Sequence, residues 1–113
     1  MTTDAVIDPH TFDELQANAG ADFVAELVDT FGVEAPPLLA EMRSALAAGA
    51  AERFRRAAHS LKSNSSTFGA TRLAALAREL ELSGMVAASG DAIDALAREF
   101  ETTLAALQAM ARQ

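Results

Sequence analysis

The chain has 113 residues, half of them apolar, with nine basic and sixteen acidic side chains and a net charge of −7. That length suits one domain with one core and leaves no space for a separate nucleotide-binding catalytic domain. The lack of cysteine excludes disulfides and thiolate metal sites, and the acidic balance argues against nucleic acid, whose phosphates need clustered Lys and Arg.

No apolar run reaches the length of a membrane span, and the opening "MTTDAVIDPH" lacks the basic and apolar segments of a secretory signal. A cytoplasmic protein without membrane association is expected. Taken in chain order, "IDPHTFDELQANAG" predicts a short first helix: Asp8 caps it, Pro9 suits its first turn and Gly20 stops it. A long second helix begins at Asp22 and ends at Gly49. Its expected stripe is Phe23, Leu27 and Phe31, then Leu38, Leu39, Met42 and Leu46. Pro36 and Pro37 fall inside it, where missing donors and ring clashes predict a bend or a break.

The third helix is expected from about Ala51 to about Phe68, the fourth from about Ala70 to Met85, and the fifth from Asp91 to near the C-terminus. Gly69, Gly84 and Gly90 punctuate them. The fourth is expected to bury Leu73, Leu76, Ala77 and Leu80, and the fifth Ile93, Leu96, Phe100, Leu104 and Leu107. No β-type alternation occurs. Short connections between helices favour antiparallel neighbours, so the expectation is an all-α fold: an up-and-down antiparallel four-helix bundle with a short extra N-terminal helix, forming a single domain over residues 1–113.

Charge is unevenly placed. Residues 51–78 carry six bases (Arg53, Arg55, Arg56, Lys62, Arg72, Arg78) against one acid, Glu52, whereas the remainder holds three bases and fifteen acids. A positive region on an acidic body suggests a localised anionic ligand or an acidic protein surface, set against a solvated helix face. The chain's only lysine, Lys62, lies three residues after His59, with serines at 60, 63, 65 and 66.

At roughly 100° per residue, Phe54, Ala58, Leu61, Ser65 and Phe68 form the core stripe of the third helix, and His59 lies about 140° from its centre. Glu52, Arg55, Arg56, Lys62, Ser63 and Ser66 share the histidine's side, so the imidazole is expected to be exposed. A second ligand at i+3 or i+4 is lacking and the neighbours are cationic, which disfavours a metal site. No strand-turn-helix elbow presents a serine nucleophile, and no glycine-rich loop would hold ATP. Two readings stay open: a surface histidine of no consequence, and an imidazole nucleophile towards phosphorus, with Lys62 as a charge stabiliser on the same face. Ser63, one turn beyond His59, is small enough to admit another protein. His10 reads as ordinary surface.

The segment "AHSLKSNSSTFGATRLAALARELE" resembles the signature of histidine-containing phosphotransfer (HPt) domains: His-x-x-Lys, a small residue, serines, and Gly-Ala opening the next helix. "IDPHTFDEL" resembles the family's opening, and "FVAELVDTFGVEAPPLLAEMRSALAAGAAERFRRAAHSLK" its long second helix and the approach to the active helix. The resemblance implies a free-standing, monomeric carrier that accepts a phosphoryl group on His59, at the ring nitrogen facing solvent. It would exchange that group with aspartates of response-regulator receiver domains, with a hybrid sensor histidine kinase as a further partner. It implies no cofactor and no kinase activity of its own, with Mg²⁺ held by the partner receiver.

By the same resemblance Lys62 stabilises the phosphoryl group, and Glu81 stands where family members reach the other ring nitrogen and orient the imidazole. Arg55, Arg56, Ser63 and Ser66 are expected to meet the partner. Ser63 departs from the family's usual glycine, which bears on partner preference or rate. Phe12, Phe23 and Phe31 are expected in the core rather than on the partner surface. The rival readings are a helical adaptor that binds receivers or a kinase without carrying phosphate, an enzyme that drains phosphate from a receiver, and a dimeric, kinase-like docking bundle.

Overall fold

A computed structural model describes residues 6–86 and 89–112. Their regular structure is helical: α1 (Pro9–Ala19), α2 (Ala21–Ala48), α3 (Ala51–Thr67), α4 (Thr71–Ser83) and α5 (Gly90–Ala111), with a 3-10 turn at Gly84–Val86. Helices α2 to α5 form the expected up-and-down bundle. α3 packs between α2 and α4, α5 closes the bundle against both, and α1 lies on α2.

Local chemistry accounts for the helix ends. The Asp8 carboxylate accepts from the His10 N–H at 3.3 Å, and Pro9 occupies the first turn of α1. The Ser89 hydroxyl accepts from the Ala92 N–H at 3.1 Å and caps α5. Gly69 has the most constrained turn. Its φ is +76°, and its carbonyl accepts the Asp8 N–H at 2.8 Å, drawing the start of α1 onto the α3–α4 connection. A Cβ at Gly69 would lie 2.8 Å from the Thr11 Cβ, so only glycine permits this approach.

α2 runs unbroken through Pro36 and Pro37. Both prolines are exposed, and so is Val33, whose carbonyl loses its Pro37 partner towards solvent. Burial of Phe31, Ala35, Leu39 and Met42 on either side of the pair holds the helix to the bundle.

The buried line of α2 is Val24, Val28, Phe31, Ala35, Leu39, Met42 and Ala45. It differs from the expected stripe: Phe23 is 52% exposed, and Leu27, Leu38 and Leu46 are only partly buried. Small residues such as Ala35 and Ala45 are fully buried on this line, while the bulky Leu27, Leu38 and Leu46 stand at its edges. Leu76 on α4 and Leu104 on α5, both expected in the core, are likewise only partly buried, while Thr103, next to Leu104 in sequence, is fully buried. The α3 stripe of Phe54, Ala58, Leu61, Ser65 and Phe68 is buried as expected. Phe12 is core, and Phe31 packs against Phe68 and Phe100 with ring centroids 5.3 and 5.4 Å apart.

Candidate functional site

The exposed edge of α3 presents His59, with its side chain 55% exposed. The tight connection at Gly69 returns α4 antiparallel to α3, bringing Glu81 back against His59 across 22 residues of sequence. The Nδ1 of His59 lies 2.7 Å from Glu81 Oε2. On the other side of the same carboxylate, Lys62 Nζ lies 2.9 Å from Oε1 as an ion pair, set off the hydrogen-bond direction. Only 12% of the Glu81 side chain is exposed. One carboxylate thus holds the imidazole and the ammonium together.

The Lys62 ammonium first, and the His59 imidazole second, hold the Glu81 carboxyl below the ordinary glutamate value of 4.5. Glu81 is therefore ionised near neutral pH and can only accept, so Nδ1 carries the imidazole proton. In the neutral ring Nε2 then holds the lone pair, directed away from Glu81.

Ser63 and Ser66 are exposed on the same side of α3. Arg55 is exposed, but its Nε donates to Glu52 at 3.1 Å and a terminal nitrogen pairs with the same carboxylate. Arg56 is exposed. The structure therefore brings His59, Lys62 and Glu81 into contact and leaves Arg55, Arg56, Ser63 and Ser66 around them. His10 is exposed and 3.4 Å from Glu14, away from this cluster in sequence and element.

Two features escape the sequence reading. The resting engagement of Lys62 with Glu81 depends on side-chain reach across two helices. An open hollow of about 270 Å³ between α3 and α4, bordered by Lys62 and Arg78, depends on the helix register. Among the described residues no group of His, Asp or Glu side chains is placed to hold a metal ion, and no helix is long and apolar enough to cross a membrane.

Residues 26–110 match the Hpt domain model. The whole bundle is similar to the crystal structure of histidine-containing phosphotransfer protein B (HptB) from Pseudomonas aeruginosa PAO1. The TM-score is 0.74 at 30% identity, over 98% of this chain and 95% of that one. No curated protein matches the chain. With a family match across most of its length and a bundle of the same form, the chain belongs to the Hpt domain family, the histidine phosphotransfer proteins of phosphorelays.

Proposed function

We propose that His59 is the phosphoacceptor of this phosphotransfer protein and that Nε2 is the attacking atom. The single observation that carries this reading is the Nδ1 contact with the Glu81 carboxylate, which leaves Nε2 as the nucleophilic nitrogen on an exposed edge. In the transfer step the Nε2 lone pair attacks phosphorus of a receiver's aspartyl phosphate. The N–P bond forms as the P–O bond to the acyl oxygen breaks, and the aspartate leaves as its carboxylate. Nδ1 keeps its proton, so the phosphorylated ring is cationic and the ionised Glu81 balances it. Lys62, one turn along, supplies positive charge for the phosphoryl oxygens. The reverse step returns the group to a receiver.

Hpt domains carry no cofactor of their own; the Mg²⁺ needed for aspartyl phosphate chemistry belongs to the receiver. Partners of the family are receiver domains and histidine kinases. For this chain the reading is a receiver of a hybrid sensor kinase as donor, with the chain working in the cytoplasm as one monomeric domain. Arg55, Arg56, Ser63 and Ser66 ring the histidine and form the surface on which the receiver sits. The hydroxymethyl group of Ser63 replaces the glycine usual there and narrows the closest approach.

The test is transfer of label from phosphorylated receiver domains of the same cell to the wild-type chain and to a His59→Gln variant. Label should reach the wild type alone, be lost in acid and be kept in alkali. Receivers that bind without giving up label would instead support a docking adaptor.

A further inference from the structure

We infer that the hollow between α3 and α4 beside His59 takes a carboxylate side chain of the receiver, and that Arg78 is the specificity-determining residue that binds it. This inference rests on the carrier reading above. The antiparallel register fixed at Gly69 sets Glu81 against His59 and places Arg78, three residues earlier on α4, towards Lys62. Lys62 is shared: it stands one turn from the phosphoacceptor and also forms the near wall of the hollow. Ser66 and Thr71 supply hydroxyls around it, the Thr11 hydroxyl on its border donates to Asp8 at 2.7 Å, and Ala74 forms part of its lining. Among the described residues no acidic side chain lines it.

Charge selects the occupant. Within the basic stretch, Arg53 pairs with Glu41, Arg55 with Glu52 and Arg72 with Glu99, and the Lys62 ammonium is engaged by Glu81. Among the described residues Arg56 and Arg78 have no ion-pair partner; both are exposed, and of the two Arg78 borders this hollow. Its guanidinium fork matches the two oxygens of a carboxylate, and the hydroxyls accept or donate around it. A receiver that delivers phosphoaspartate to Nε2 of His59 must also bring its neighbouring side chains within about one helical turn of that atom. A carboxylate among those neighbours falls on the hollow. A nucleic acid is a poorer occupant, since the body around this patch is acidic and repels a long polyanion.

The experiment compares two phosphodonors on wild type, Arg78→Glu and Ala74→Leu. Phosphoramidate is a small donor that needs no docking surface; a phosphorylated receiver does need one. Arg78→Glu should lower kcat/KM with the receiver on the order of 10- to 100-fold, chiefly through KM, with phosphoramidate labelling of His59 close to wild type. Ala74→Leu, which adds bulk to the lining, should act in the same direction. A receiver with the matching acidic residue changed to lysine should transfer better to Arg78→Glu than to the wild type. Wild-type transfer from the receiver to Arg78→Glu overturns the inference, as does an equal loss with both donors, which would mark a structural role. Phosphoramidate labelling of the wild type without transfer from any receiver also overturns it. If neither donor labels His59 in the wild type, the carrier reading itself falls.

Discussion

At the residue scale, Glu81 stands out by where it sits rather than by what it is. It is one of two acids on α4, singled out in the sequence by the family resemblance alone, and its carboxylate meets Nδ1 of His59 at 2.7 Å and Nζ of Lys62 at 2.9 Å. Folding depresses its pKa below 4.5, chiefly through Lys62. A carboxyl whose pKa is lower in the folded state stabilises the fold fully above its unfolded value, and loses that contribution as pH falls through the folded value. Glu81→Gln should therefore flatten the decline in stability below about pH 4.5 relative to the wild type, as read from urea midpoints across pH 2.5–7. Parallel profiles would mean that the contact adds nothing to the fold.

At the element scale, two helices carry local costs that the bundle offsets. Pro37 sits on the solvent side of α2, and its replacement by alanine returns a donor to the Val33 carbonyl. Pro37→Ala should stabilise the protein by about 1–3 kcal/mol, seen as a higher urea midpoint with an unchanged slope. Gly69 works in the opposite direction. Gly69→Ala places a Cβ 2.8 Å from Thr11 at a φ of +76°, and should cost about 1–3 kcal/mol. Since the same turn sets the register of α3 and α4, that variant should also slow phosphoryl transfer to His59.

The helices themselves were legible in the sequence because glycines, caps and apolar spacing mark their ends locally. Exposure of His59 followed from helical arithmetic alone. The exact face of α2 was not legible: alanines at 35 and 45 are fully buried, and a reading by bulk favours Phe23 and Leu38 over Val24 and Ala35. Nor could spacing within one helix show that Glu81 engages Lys62 as well as His59, because that contact depends on side-chain reach between helices.

At the scale of the whole molecule, the basic stretch on an acidic body is a directional feature. Arg55, Arg56 and Lys62 share α3 with His59, so on the proposed function an acidic receiver would be drawn to that face and turned away from the rest. Exposed charges are screened over about 10 Å at 0.1 M salt. Binding to a receiver should therefore weaken several-fold between low and high salt, whereas phosphoramidate labelling should change little. Affinity independent of ionic strength, measured by calorimetry, would remove the charge argument and leave the chemistry intact.

The central claim is that phosphorus becomes bonded to Nε2 of His59. It is tested most directly by ³¹P–¹⁵N NMR of the ¹⁵N-histidine-labelled protein after it has taken a phosphoryl group from a receiver. A one-bond coupling to Nε2 of His59, with Nδ1 still protonated against Glu81, is the predicted result. Phosphorus on Nδ1, on His10 or on a serine would contradict it.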